Sequence, residues 1–413
     1  MRADAKFLGI TALCLCLTLI LFLPAGPAMG KEIKIGQIHP MTGSLAVIGQ
    51  SAKRGHELAV EEINAAGGIK SMGGAKLVLL NGDSQGKPEI GMGEAERLIR
   101  DGAVALMGCY QSGVTLPVTQ IAEKNHIPFV IPMAISDKIL ERGFKYTFRV
   151  IYSSSMAAQR CIEYIQELGK LSGKNISKLG LIYEDTLFGK STADTLKIAA
   201  KDAGLTIVAD ISYPHKTADL SSEVAKLKAA HPDILIPITY VTDGILLVRT
   251  LADMNVNALA IVGAANSGFT DPSYIKSLGV LAEYTFNTVP RYNSKDPKAV
   301  AVAKKYEKKY GSYFDLTAAY SYVATYVVAD ALERAGSTDP DKLVKALQAT
   351  DMTDHDVLTE KGVKFGQVGK MTNQNIYANV VLEQILGGEL YAVYPPEYAT
   401  KEPVFPVKPW KDR

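Results

Sequence analysis

Histidines, serines, cysteines and acids are all present in this chain, but their spacing matches no catalytic pattern. The six histidines, His39, His56, His126, His215, His231 and His355, are scattered and show no metal-ligand spacing. There is no G-x-S-x-G turn, no Walker loop, and no G-x-G-x-x-G opening a helix after the first strand-like run. Gly67-Gly68 and Gly73-Gly74 flank a turn without the lysine that a phosphate loop needs. The paired acids Glu61-Glu62 read as a solvated helix face. No enzyme, metal site or cofactor is therefore expected, and an exported hydrolase would lack its nucleophile–base pair.

A different pattern recurs. Short loops of small hydroxyl residues, glycines and single aromatics follow the strand-like runs. In the first half these are residues 39–44 (HPMTGS), 108–113 (GCYQSG) and 132–137 (PMAISD). In the second half they are 184–189 (EDTLFG), 239–243 (TYVTD) and 263–268 (GAANSG). Small residues expose backbone N–H groups at helix N-termini, where a carboxylate or another anion is stabilised. Aromatics from a facing domain would cover an apolar side chain. Each Ser, Thr or Asp taken singly reads as a helix cap. Their recurrence in both halves is what points to binding.

Elements in a regular rhythm must position these loops. The first half reads as strands at 33–38, 77–80, 104–107 and 129–131, with helices at 50–64, 88–100 and 115–124 between them. The rhythm restarts after Arg149. Helices at 154–168, 189–203 and 244–254, and one marked by Leu220, Val224 and Leu227, alternate with strands at 179–183, 206–211, 234–238 and 260–262. Such alternation means βαβ units and a parallel sheet covered on both faces. The tail differs: helices at 299–310, 317–335 and 341–349 precede a hairpin of 377–382 and 390–394 across Gly387-Gly388. A chain that returns to the first lobe and then to the second explains this order. The expected fold is α/β, two doubly wound parallel-sheet lobes joined by a hinge of several crossovers, with a closing cleft between them. The expected limits are 31–150 plus 285–355 for the first lobe, 151–284 plus 356–395 for the second, and a C-terminal tail at 396–413.

Length and composition agree with two globular domains. The chain has 413 residues, 47% hydrophobic and 21% charged. The formal charge of +2 is balanced, and the densest basic run, Lys304, Lys305, Lys308 and Lys309, reads as a solvated helix face, so no nucleic-acid partner is expected. At the N-terminus Arg2 and Lys6 precede an apolar stretch over 7–23, Pro24 breaks it, and Ala28-Met29-Gly30 follows. This reads as a signal peptide over 1–30 cleaved after Gly30, and the mature chain is expected to be soluble and periplasmic. Cys14 and Cys16 lie inside the apolar run, which argues against a lipoprotein. Cys109 ends a strand-like run and Cys161 sits on an apolar helix face, so both read as buried free thiols.

Several stretches taken together resemble the leucine/isoleucine/valine-binding protein family. They are residues 33–36, Met41-Thr42-Gly43, the helix end Glu61-Glu62-Ile63-Asn64-Ala65-Ala66-Gly67-Gly68-Ile69, residues 111–115, residues 127–130, the Arg142-Gly143-Phe144…Phe148-Arg149 stretch, and residues 185–189. The match runs over nearly the whole mature chain. The resemblance implies a type I periplasmic-binding fold with three interlobe crossovers. It also implies a ligand carboxylate held in the first lobe by Ser112 and by backbone amides of the loop at Ala134, Ile135 and Ser136. Phe188 and Tyr240 match aromatics of the second lobe, and Ile48 sits where an aromatic lines the side-chain pocket. Gln111, beside Ser112, is a further candidate.

Two departures stand out. Leucine-type sites carry a glutamate, for the ligand ammonium, in the loop read here as 263–266, where this chain has Ala265 and Asn266. Either Asp185 or Asp243 then supplies the charge, or the ligand has no ammonium. A disulfide seen in some members would fall on Gln85 and Gln111 and is absent. The resemblance implies a monomeric substrate-binding protein of an ABC importer, delivering a branched-chain or other hydrophobic amino acid to a membrane permease. The alternatives are a receptor for a small carboxylate or amide, and a periplasmic sensor module.

Overall fold

The structure is a computed structural model that describes residues 31–292, 294–353, 358–359 and 361–413. The expected leader over 1–30 lies outside the described residues.

The chain first lays down β1 (Glu32–His39), α1 (Ala46–Ala65), β2 (Lys76–Asp83), α2 (Pro88–Arg100), β3 (Ala105–Gly108), α3 (Ser112–Lys124), β4 (Phe129–Ile131) and β5 (Thr147–Arg149). It then builds α4 (Ser154–Ser172), β6 (Lys178–Glu184), α5 (Leu187–Asp202), β7 (Thr206–Tyr213), α6 (Ser221–Ala230), β8 (Ile234–Ile238), α7 (Val241–Asp253), β9 (Ala260–Ala264), α8 (Pro272–Leu278) and β10 (Phe286–Val289). The last third contributes α9 (Pro297–Tyr310), α10 (Leu316–Ala335), α11 (Pro340–Gln348), β11 (Asp351–Met352), β12 (Val363–Val368), β13 (Met371–Asn375), β14 (Val381–Leu386) and β15 (Glu389–Tyr394).

These strands form two sheets of eight and seven strands. The parallel part of the first runs β2-β1-β3-β4-β5, and that of the second runs β7-β6-β8-β9-β10, the same doubly wound order twice. Strands β3, β4, β8 and β9 are buried at every position, as helices on both sheet faces require. In such sheets the strand order reverses between β1 and β3, and again between β6 and β8. Loops after the carboxyl ends of those strands are the natural binding place.

The sheet memberships move two expected limits. β10 joins the second sheet, and β12 and β13 join the first, β13 pairing in parallel with β5. The first lobe therefore extends through 375, and the second runs on through 289. The cause is legible in β13, Met371-Thr372-Asn373-Gln374-Asn375. Its buried Gln374 and Asn375 are held by hydrogen bonds to crossover carbonyls, so it shows no apolar alternation. The chain passes between lobes after β5, after β10 and after β13, which gives three crossovers. The hairpin across Gly387-Gly388 is present, with β14 beginning four residues later than expected, at Val381.

The helical insert returns to the first lobe. α10 packs along α1 so closely that a Cβ on Gly55 would lie 2.2 Å from the carbonyl oxygen of Ala318. Within that layer His39 and His56 meet Nε2 to Nε2 at 3.1 Å, and His56 Nδ1 bonds Thr325 at 2.8 Å. Burial pushes the His39 pKa down to about 3, so this pair is a neutral part of the core. The tail over 396–413 straps onto the second lobe: Trp410 Nε1 donates to Val256 O at 2.6 Å, and Val407 N donates to Leu259 O. Cys109 and Cys161 are buried free thiols. Among the described residues no helix is long and apolar enough to cross a membrane.

Candidate functional site

Three of the expected binding loops sit just before helices that point their N-termini at the space between the lobes. α3 begins at Ser112, α5 at Leu187 and α7 at Val241. Gln111 precedes α3 with extended backbone and gives it no side-chain cap. Val114 N and Thr115 N donate to Gln111 O, which leaves the N–H groups of Ser112 and Gly113 for another acceptor.

Between the lobes lies a cavity with about 360 Å³ of unfilled space, counting what opens to solvent. The first lobe contributes Tyr110, Ser112, Met133, Ile135 and Leu316, the second Phe188, Tyr240 and Ala265, and the first crossover Ile151 and Tyr152. The aromatics form one wall: Tyr240 lies 5.3 Å from Phe188 and 6.0 Å from Tyr110 between ring centroids. Burial raises the phenol pKa of Tyr152 and of Tyr240 far above the ordinary range, so both remain protonated.

A chain of serine hydroxyls lies beside the cavity. Ser112 Oγ accepts from Ser136 N at 3.3 Å. Ser136 Oγ donates across the cleft to Ser191 Oγ at 3.0 Å, and Ser191 Oγ donates to Ser154 Oγ at 3.4 Å. The loop carrying Ser136 is pinned by Arg149, which is fully buried. Its Nη1 donates to the carbonyls of Ala134 and Ser136, and its Nε donates to Gln374 Oε1 at 2.6 Å. Burial lowers this guanidinium pKa to about 10, and no carboxylate within salt-bridge distance neutralises it among the described residues. Arg149 thus ties β5 and β13 to the loop that orients Ser112.

The second-lobe wall rests on Glu184. Its carboxylate accepts from Thr186 N at 2.6 Å, Thr186 Oγ1 at 2.7 Å and Gly189 N at 2.8 Å, which fixes the start of α5 and so places Phe188. A Cβ on Gly189 would stand 2.0 Å from Glu184 O, so this turn requires glycine. Burial raises the Glu184 pKa. Ala265 reaches the cavity in a left-handed conformation, φ 52°, held by its N–H to Thr288 O at 3.0 Å.

A wider opening with about 890 Å³ of unfilled space continues outward from Tyr240. It is lined by Thr42, Ser44, Gln85 and Gln111 on one side and by His215, Lys216, Thr242 and Asp243 on the other. Asp243 accepts from Tyr213 OH at 2.6 Å, and burial raises its pKa to about 6.

The structure therefore brings Ser112, Phe188 and Tyr240 together around the inner cavity. Gln111 and Asp243 border the outer opening instead. Ala134, Ser136, Asn266 and Ile48 are buried but do not line the cavity. Ala134 and Ser136 serve as partners of Arg149, Asn266 bonds Thr239 and Asn287, and Ile48 packs in the core. Of the two acids expected to supply a charge, Asp185 bonds His215 at the surface and Asp243 faces the outer opening, so neither meets the inner cavity. Sequence reasoning did not single out Tyr110, Met133, Ile151, Tyr152 or Leu316, of which Tyr110 and Met133 lie in loops it had picked. Ile151 and Tyr152 lie in the first crossover, where the apolar run Val150-Ile151-Tyr152 after Arg149 was the available signal, and Leu316 opens α10.

Comparison with known proteins gives a consistent picture. The family described as periplasmic binding protein matches residues 32–381. A "Leu/Ile/Val-binding protein homolog 8" from Brucella abortus is 34% identical over 378 residues, covering 88% of this chain and 91% of that protein. Among solved structures, the branched-chain amino acid transporter substrate-binding protein LivJ of Streptococcus pneumoniae, in complex with isoleucine, superposes with a TM-score of 0.75 at 23% identity, covering 88% of this chain and 98% of that one. An ABC transporter solute-binding protein from R. palustris, in complex with benzoate, superposes with a TM-score of 0.74 at 19% identity, covering 88% and 95%.

Proposed function

This chain belongs to the periplasmic binding protein family, and from that premise we propose that it is the exported receptor of an ABC importer, closing its lobes on a small carboxylate with an apolar body. The observation that carries this reading is the inner cavity. It is walled from both lobes and from the first crossover, almost wholly by apolar and aromatic side chains, with Ser112 at the uncapped start of α3. That combination buries an apolar body and directs hydroxyl and amide donors at an anion. The relatives' names point to hydrophobic amino acids as the ligand class. The fold itself carries isoleucine in one neighbour and benzoate in another, so the lining of the cavity must decide.

In this reading the protein is a non-catalytic monomer. The leader over 1–30 exports it, the three crossovers act as the hinge, and the closed form docks on a membrane permease. A second reading, a carboxylate without an ammonium, is favoured by one observation: among the described residues, no acidic side chain lines the inner cavity.

A thermal-shift screen of the purified protein against amino acids, aliphatic and aromatic acids, and amides tests the proposal. A ligand at a hundred times its dissociation constant is expected to stabilise the fold by about 2.7 kcal/mol. If no compound of these classes shifts the transition, the receptor reading is wrong.

A further inference from the structure

Among the described residues, the ten that line the inner cavity are apolar, aromatic or hydroxyl-bearing, with no Asp, Glu, Asn or Gln. The acids in the flanking loops are already engaged. Glu184 spends its carboxylate on Thr186 and Gly189, Asp185 accepts from His215, and Asp243 accepts from Tyr213 at the outer opening. The side-chain oxygen of Asn266 accepts from Thr239 Oγ1.

A primary ammonium carries a full charge and three N–H donors, and it must find acceptors once its water is stripped. Here it would meet phenol oxygens and one serine hydroxyl, none of them charged. The start of α3 adds partial positive charge to the same space, with no acid in its first turn, whereas α5 and α7 carry Glu184 and Asp243 at their own starts. That field opposes a cation and favours an anion. A carboxylate finds the reverse: the Ser112 hydroxyl and the N–H groups of Ser112 and Gly113 at the start of α3, which has no side-chain cap. The contiguous faces of Tyr110, Tyr240 and Phe188 offer a flat apolar surface for a ring.

We infer that the inner cavity selects carboxylates without an ammonium group, above all arylcarboxylates, because its lining holds aromatic faces and hydroxyl donors but no side-chain carboxylate. This inference rests on the proposed solute-capture role of the same cavity. Ala265 marks where the missing charge would stand: its methyl lines the wall, and its left-handed backbone is one that aspartate tolerates.

Matched pairs test it. Calorimetry on protein that has been unfolded, freed of any bound compound and refolded would compare hydrocinnamate with phenylalanine and isocaproate with leucine. The members of each pair differ only by the amine. Each acid is expected to bind at least about tenfold more tightly than its amino acid. Equal or tighter binding of phenylalanine or leucine overturns the inference while leaving the receptor role intact. Tighter binding of glycine betaine than of either acid also overturns it, because the aromatic wall would then be a cage for a quaternary ammonium. If none of these compounds binds, the inference falls, and the receptor role is then judged on the amides of the wider screen. Ala265→Asp should shift the acid-to-amino-acid ratio toward the amino acid by about tenfold. An unchanged ratio in a variant that still folds would overturn the electrostatic ground of the inference.

Discussion

The hydroxyl of Ser112 accepts the N–H of Ser136 and leaves its own hydrogen for the cavity. Ser112→Ala removes a donor to the ligand carboxylate and is expected to weaken binding by about tenfold, the worth of a hydrogen bond to a charged group. The same change strands a buried N–H, so a stability loss of about 1–3 kcal/mol should accompany it. Calorimetric affinity and melting temperature read the two effects separately, and unchanged affinity would remove Ser112 from the site. Asp243 gives a pH test. Burial raises its carboxyl from the ordinary 3.8 to about 6, so between those values the folded chain holds a proton that the unfolded chain has lost. Stability contributed by this group is therefore present in acid and declines as pH rises through that window. Asp243→Asn cannot titrate, and it should gain on the parent protein by a few kcal/mol at most as pH rises from about 4 to about 7. Melting curves at both ends measure this, and a pH-independent difference would count against a strained Asp243. At this scale the loops that carry Ser112, Phe188 and Tyr240 were legible from their composition, and the three residues themselves from the resemblance to the leucine/isoleucine/valine-binding proteins. Tyr152 and Leu316 were not, because only the folded first crossover and the return of α10 to the first lobe bring them to the cavity.

Arg149 shows how an element sets the site. It is a buried cation whose fork reaches two loop carbonyls, Gln374 and the Met371 sulfur, and so joins β5, β13 and the loop over 133–137. Lysine has the charge without the fork. Arg149→Lys is expected to cost about 3–5 kcal/mol of stability, comparable to breaking a buried ionic network, and to loosen Ser136 and with it Ser112. Denaturant unfolding together with ligand affinity checks this, and an unaltered midpoint would show the clamp to be dispensable. The sequence did signal Arg149 as part of a recurring stretch but not its task. Its partners Gln374 and Met371 lie more than two hundred residues away in β13, a strand whose polar side chains hide it from any apolar periodicity. The α/β rhythm of both lobes was legible for the opposite reason: β3, β4, β8 and β9 are continuous apolar runs, β1 and β6 are built around Ile33, Ile35 and Ile38 and around Leu179, Leu181 and Ile182, and helices lie between them.

Across the whole molecule, one buried apolar cluster runs from the α1–α10 layer of the first lobe, through Phe148, Ile151 and Tyr152, into the α4–α5 layer of the second. Tyr110, Met133, Ile135, Phe188 and Ala265 belong to it. The structure is thus a closed one, with the cavity lining completing a core that opening of the lobes would expose. Burying that surface again is worth roughly 25 cal/mol for each Å², and a ligand filling the cavity adds to it. Three crossovers allow hinge motion while holding the two sheets in register. The most direct measurement is small-angle scattering of refolded protein, first alone and then with hydrocinnamate and with leucine at saturating concentration. The account predicts a more extended molecule without ligand and a smaller radius of gyration once a bound compound joins the lobes. An identical scattering profile with a compound shown calorimetrically to be bound would contradict it.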